Sequence, residues 1–356
     1  MKSTFSGLAG LRRVSFGVLA ALLAGAVSAA GPVVDALDRP AVRTAQAAHA
    51  VLLGAAQAGD SLIAVGERGI IVRSDDQGAS WQQISVPVSV TLTAVRFADA
   101  RHGYAVGHGG TVLTTSDGGQ AWERRLDGRQ IARMALEAAQ KADAARAVRE
   151  AEQLVADGPD KPLLDVLVFD HQRAVVVGAY GLAFATDDGG RTWASWMDRL
   201  DNPRGFHLYA IRRHGERLLV VGEQGLVRFS EDGGRTFAPI QTPYGGSFFT
   251  AELPAEDVFV TAGLRGNVWR SMDAGASWMQ LPVPMPASIT GSALRADGSP
   301  VFVNQAGMVL GELDGALVPV NATPLPSLNG VLPKPDGTLL ALGIHGAVSV
   351  KPGDQK

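Results

Sequence analysis

No cysteine occurs in the 356 residues, so no disulfide staples the fold and no thiolate is available to hold a metal or attack a substrate. Aromatic residues make up only 6% of the chain. The His residues stand at 49, 102, 108, 171, 207, 214 and 345, and no two lie four apart, so the helical zinc motif built on imidazoles one turn apart is missing. No G-x-x-x-x-G-K-S/T run is present, which removes the nucleotide phosphate loop. A basic excess is missing too: the formal charge is −3, and nothing in it invites nucleic acid. The chain is read as having no cofactor and no metal.

One long apolar run stands out, Val14 to Val27, preceded by Lys2, Arg12 and Arg13 and followed by the small-residue site Val27-Ser28-Ala29. That is the layout of a secretory signal over residues 1–29, and the run is shorter than the ~20 residues of a spanning helix. Removing it takes away three positive charges and leaves −6. No Cys follows the cleavage site to carry a lipid, so a periplasmic location, or secretion, is expected.

What fills the rest of the chain is repetition. A turn motif Ser/Thr-x-Asp-x-Gly-x-x-Trp/Phe recurs five times, with Asp76, Asp117, Asp188, Asp232 and Asp273 at its centre and Trp81, Trp122, Trp193, Phe237 and Trp278 at its end. Asp accepts bonds from nearby backbone N–H groups and Gly takes a positive φ, so these Asp residues are read as structural. Upstream of each turn an apolar run ends in Gly-x-x-Gly. The first positions of that series fall at 66, 107, 178, 222, 263, 304 (an Asn) and 343, in steps of 41, 71, 44, 41, 41 and 39. Seven units of about 40 residues, each with four short strands, are the signature of a β-propeller. The fold class is therefore all-β: a seven-bladed β-propeller with Asp-box turns and one helical insertion between blades two and three.

The last unit runs out at Lys356 after three strands. An open blade edge invites aggregation, so residues 30–44, near Val33 to Leu37 or Ala41 to Arg43, are expected to supply the closing strand of blade seven, with the propeller proper spanning 45–356. The 71-residue step hides an insertion at 128–162 in which Ile131, Met134, Ala138, Ala142, Ala145, Val148 and Val155 recur near helical spacing. Gln130 to Val155 is expected to form an amphipathic helix or helical hairpin, packed on the propeller or serving as a docking element.

Connections alternate between the two faces of a propeller, so the Asp turns lie on one face and the Gly-x-x-Gly turns and the insertion on the other. The second face presents Arg68, His108, Tyr180, Gln224, Arg265 and His345 at its turn tips, the candidate partner-binding residues. Strand starts such as Leu92-Thr93-Ala94, Leu164-Asp165-Val166, Leu208-Tyr209-Ala210, Phe249-Thr250-Ala251 and Leu328-Asn329-Gly330 add a polar ring at the channel mouth. Rigid scaffolds carry binding sites on such concave surfaces.

Asp turns paired with Val-Gly-x-x-Gly strands, seven units and a signal peptide together resemble the photosystem II stability/assembly factor family over roughly residues 45–350. The resemblance implies a seven-bladed, Asp-box-containing propeller that acts without chemistry of its own, holding newly made membrane subunits. Related bacterial proteins outside photosynthesis are thought to be encoded beside resistance-nodulation-division exporters. The helical insertion and acidic charge depart from the photosynthetic pattern. The expectation is a monomeric exported protein whose partner is a protein, an inner-membrane complex, and which binds no nucleic acid.

Asp boxes also occur in sialidases, so carbohydrate binding or glycoside hydrolysis is the competing class. Its candidates are Tyr209 as nucleophile, Arg212 and Arg213 as carboxylate binders, and Asp165 with Glu252 as the paired carboxylates that glycosidases need.

Overall fold

The period-two apolar runs are short because each crosses one thin blade. In the computed structural model, which describes residues 34–353 apart from 144 and 322, they form seven antiparallel sheets in which sequence neighbours are always hydrogen-bonded neighbours. The blades span 52–84, 92–126, 163–195, 208–239, 248–280, 289–319 and 328–350. The all-β propeller expected from the repeat is borne out. The expected signal at 1–29, and residues 30–33, lie outside the described residues.

Second strands are the most deeply buried: Ser61–Gly66, Gly103–Gly107, Ala174–Gly178 and Leu339–Gly343 are covered along their whole length. Side chains alternate between the two blade faces, and each face packs on the next blade. Val175 and Val177 of blade three, for example, share a cluster with Leu208, Ile211 and Val220 of blade four. Burial of such apolar surface, at roughly 25 cal/mol per Å², is what holds the blades together. Among the described residues no helix is long and apolar enough to cross a membrane.

The insertion is a helical hairpin, α1 (Gly128–Lys141) and α2 (Ala145–Asp157). Asp127 caps α1, accepting from Arg129 N and Gln130 N at 3.0 and 3.1 Å while Gln130 Oε1 accepts from Asp127 N at 3.0 Å. This reciprocal box fixes where the strand stops and the helix starts. Ile131, Ala135, Ala139 and Ala151 bury against Leu126, Val112 and Leu163. Small side chains on that stripe let the helices lie close to blades two and three.

Blade seven differs from the other six. Its three strands, Leu328–Pro333, Leu339–Gly343 and Gly346–Val350, have no fourth among the described residues. The closing strand expected from residues 30–44 is not found among the described residues. The segment from Asp35 instead becomes a strap across the Gly-x-x-Gly face. Its start is held at blade two and α1, where Asp38 meets Arg124 at 3.1 Å and Arg129 at 2.9 Å. Ala41 N then donates to Val86 O at 3.2 Å and Thr44 N to Gln83 Oε1 at 2.8 Å, and the turn Ala47–His49 reaches blade seven. The physical reason is anchoring: Leu37, 2% exposed, is buried with Val86, Val88 and Leu92, which commits the segment to blades one and two.

A candidate partner-binding face

The geometry of this face begins with the first Gly of each Gly-x-x-Gly turn. A Cβ at Gly66 would overlap the carbonyl oxygen of Val51, where the strap enters blade one, and one at Gly107 that of Thr91, in the connection arriving from blade one. The same carbonyls accept from Glu67 N at 3.0 Å and His108 N at 2.8 Å. A side chain is excluded because the incoming chain is bolted to the turn. Blade six has Asn304 there, and its Oδ1 accepts from Ala306 N and Met308 N at 3.1 and 2.9 Å.

The turn tips are left-handed. Arg68, Tyr180, Gln224 and Arg265 have φ of 52°, 57°, 52° and 58°, a conformation that costs a residue with a Cβ roughly 1–2 kcal/mol. Blade two has Gly109 at this position, so His108 sits one residue earlier than the others. All six candidates, Arg68, His108, Tyr180, Gln224, Arg265 and His345, are exposed. Among the described residues no hydrogen bond or ring contact joins any two of them; they are spread round the rim.

Tyr180 alone belongs to a cluster. Its ring lies 4.9 Å from that of His207, whose Nδ1 accepts from Tyr180 N at 3.1 Å. That bond places the imidazole proton on Nε2, so the 3.3 Å approach of Glu223 Oε2 to Nδ1 is not a hydrogen bond. His207 continues to Tyr209 at 6.1 Å and Tyr209 to Phe249 at 5.2 Å, edge to face. Lys161 Nζ stands 5.0 Å from the Tyr180 ring centre. An aromatic arc thus runs from the rim at blade three to the channel mouth at blade five.

Tyr209 and Phe249 reach the channel because of bulges. In all seven blades the register of the first two strands slips at the second residue of the first strand, as between Leu92 and Ala94, Leu208 and Ala210, or, in blade three, Leu163 and Asp165. The unpaired residue is turned inward. Polar ones tie the ring: Thr93 Oγ1 donates to Leu163 O at 2.8 Å, Thr290 Oγ1 to Leu328 O at 2.7 Å, and Asn329 Nδ2 to Leu52 O at 3.0 Å, the last joining blade seven to blade one.

Below this ring, in a channel cavity of about 110 Å³, Arg212 is the hub. It bonds Asp165 Oδ2 and lies 3.5 Å from Glu252 Oε1, with Thr250 Oγ1 at 3.4 Å. Ser292 Oγ donates to Glu252 at 2.7 Å, and Arg96 approaches Asp165 at 3.5 Å. Burial alone would lower the Arg212 pKa, but the two carboxylates outweigh it and raise it. Arg213 lies elsewhere, over the Phe169 ring at 4.9 Å. The Tyr209 phenol is pushed up by burial and then by Glu223. A channel with its carboxylates bound to arginine and its tyrosine held protonated offers neither an acid–base pair nor an activated nucleophile.

On the opposite face each Asp is consumed inside its own turn. Asp76 Oδ1 accepts from Ser74 Oγ at 2.7 Å and Ser80 N at 2.8 Å, and Oδ2 accepts from Ser80 Oγ at 2.6 Å. The bonds from Ser80 and Ser74 lower its pKa to about 2. The same web surrounds Asp188, Asp232 and Asp273, and Asp117 keeps it except for the second hydroxyl, since Ala121 stands where the others have Ser or Thr. Among the described residues no cluster of His, Asp and Glu could hold a metal ion.

Two stretches of the chain, 49–143 and 144–310, match the family model for the photosynthesis system II assembly factor YCF48. The chain belongs to that family. Within it, the photosystem II assembly protein Ycf48 of Thermosynechococcus vestitus is 42% identical over 45 residues, 13% of each chain. The chloroplastic stability/assembly factor HCF136 of Cyanidioschyzon merolae is 43% identical over 51 residues, 14% of this chain and 12% of that one. These matches thus span about an eighth of either relative. A solved structure of YCF48 bound to a D1 peptide superposes with a TM-score of 0.62 at 16% identity, over 89% of this chain and all of that one. YCF48 from Cyanidioschyzon merolae gives 0.63 at 14%, over 86% and 97%. The WD40 propeller domain of Doa1 gives 0.61 at 11%, over 90% and 97%. At such identities the structural matches show the fold alone.

Proposed function

We propose that this propeller is an exported, non-enzymatic, monomeric assembly or accessory factor that holds a polypeptide segment of an inner-membrane complex, of the resistance-nodulation-division exporter type, on its Gly-x-x-Gly face. The observation that carries the reading is the arc Tyr180, His207, Tyr209 and Phe249 with Lys161 above it. Rigid aromatic rings beside a cation, on a face whose backbone is bolted down, present contact area at little conformational cost. Family membership and the D1 peptide bound to YCF48 support a protein ligand. The signal layout of residues 1–29 supports the periplasm.

The test is crosslinking in living cells followed by mass spectrometry. Charge reversal at Arg68 and Arg265, and separately Tyr180→Ala, is expected to abolish capture of a membrane protein with the fold intact. Deleting 130–155 is a harsher probe, since it uncovers the Leu126 and Leu163 surface; changes at exposed Arg149 and Glu152 test the hairpin without that damage. Unchanged capture in all of them rejects this face. Saturable binding of an oligosaccharide that depends on Tyr209 or Arg212 would instead favour the carbohydrate-binding class.

A further inference from the structure

Blade seven ends in a strand, Gly346–Val350, that contains no charge, no Pro and no bulge, the devices that normally protect a free edge. Its register pairs Gly343 with Gly346 and Ala341 with Val348, so by the alternation of an antiparallel ladder the N–H and C=O of Ala347 and Ser349 point away from the sheet. In blade six the corresponding outward positions are filled: Val309 O accepts from Val320 N at 2.8 Å and Gly311 pairs with Val318. In blade seven no hydrogen bond from Ala347 N or Ser349 N to another segment is found among the described residues. Val348 is 41% exposed.

Beside this edge lies a groove of about 360 Å³ lined by Arg43, Thr44, Ala47, Ala48, Trp81 and Gln83. Trp81 and Ala47 share a cluster with Ala347 and Leu342 of blade seven. The groove lies between the strap and the outer strand of blade one, next to blade seven. Residues 351–353 leave for blade six, where Gly353 N donates to Val320 O at 3.2 Å, and the strap crosses from Asp38 at blade two to Ala47 at blade seven outside the sheets.

We propose that the edge of blade seven is a second docking site, which receives an extended segment of a client polypeptide as its fourth strand. Main-chain bonds to Ala347 and Ser349 give the affinity. The Trp81 groove takes an apolar side chain of the segment, and Arg43 favours an acidic residue next to it. The inference goes beyond the rim and the aromatic arc and does not depend on them, because none of Arg68, His108, Tyr180, Gln224, Arg265 and His345 lines the groove or the strand Gly346–Val350.

Amide hydrogen exchange on the full chain over 346–350 tests it. The free protein is expected to exchange Ala347 and Ser349 quickly and Val348 slowly. The probe is a synthetic octapeptide of alternating Thr and Val ended by Glu, which is expected to slow Ala347 and Ser349 at least tenfold. Ser349→Pro, which removes an outward N–H that the fold does not use, is expected to abolish that slowing while leaving the melting temperature unchanged. Arg68→Glu is expected to leave it intact. Protection of Ala347 and Ser349 in the free protein would mean that the chain closes its own blade. Protection that rises with protein concentration would mean that a second copy does. Either result, or no protection at millimolar peptide, overturns the proposal. Loss of peptide protection with Arg68→Glu but not Ser349→Pro would overturn it too and leave the Gly-x-x-Gly face standing.

Discussion

Replacing Arg212 with Met is the most demanding test of the channel. Arg212 holds Asp165 and Glu252, whose side chains are only 5% and 6% exposed. Met fills similar volume, so the change removes charge and hydrogen bonds rather than packing. Two buried carboxylates are then left without their cation, and breaking a buried pair in this way costs roughly 3–5 kcal/mol. Arg96 offsets little, since it reaches only Asp165, at 3.5 Å, and is itself partly exposed. With an unfolding entropy of about 2.1 cal/mol/K per residue over roughly 320 residues, that corresponds to a fall in melting temperature of ~4–8 °C. The assay is urea unfolding at pH 7.5. Adding Asp165→Asn and Glu252→Gln to the Met variant should recover most of the stability, because neutral amides do not need the cation. A loss below ~1 kcal/mol would refute the view of Arg212 as the electrostatic hub.

The Asp boxes predict acid sensitivity. The pKa values of Asp76, Asp117, Asp188, Asp232 and Asp273 are all depressed in the folded state. Their stabilisation is thus complete above the unfolded value near 3.8 and is lost as pH falls toward 2; an acid titration followed by circular dichroism should show the decline there, and Asp→Asn variants should flatten it. Ser74→Ala removes the hydroxyl that accepts from Gly78 N at 2.7 Å and leaves a partly buried N–H unpaired, so chemical unfolding should show a loss of ~1–3 kcal/mol. Gly107→Ala drives a methyl into the Thr91 carbonyl and should reduce soluble yield and melting temperature far more than Ala at exposed Gly353. Tyr180→Gly relieves a left-handed residue and should raise stability by ~1 kcal/mol, while removing the ring that meets His207 and so weakening capture in the crosslinking assay.

Repetition made the architecture legible. The spacing of Gly66, Gly107, Gly178, Gly222, Gly263, Asn304 and Gly343 marks seven units because that position answers a demand that recurs once per blade. The rim residues were legible for the same reason: Arg68 and Tyr180 fall in fixed phase with those glycines. The bulges were not. Reading Leu164-Asp165-Val166 and Phe249-Thr250-Ala251 as channel starts centres them on Asp165 and Thr250, one residue past the inward-turned Leu164 and Phe249, because a bulge inserts a residue without any compositional mark. The roles of Arg96 and Ser292 depend on which blades face each other across the channel, a fact carried by the closed ring and by no local spacing. The strap was misplaced because short stretches with a few apolar residues, such as Val34 to Leu37 and Ala41 to Arg43, suit an edge strand as well as they suit the rim; the Leu37 pocket, built from blades one and two, decided between them.

The strap has an evolutionary corollary. Many closed rings are sealed by mixing the two termini within a single sheet, which makes the first and last repeats interdependent. Here, among the described residues, every blade is encoded by one unbroken stretch of sequence, and the first and last blades are joined by Asn329 at the hub and by a tether outside the sheets. A gene segment encoding one blade can then be duplicated, exchanged or lost without orphaning a strand elsewhere, and new termini can be cut into an Asp-box turn without dividing any sheet between them beyond the one that is opened.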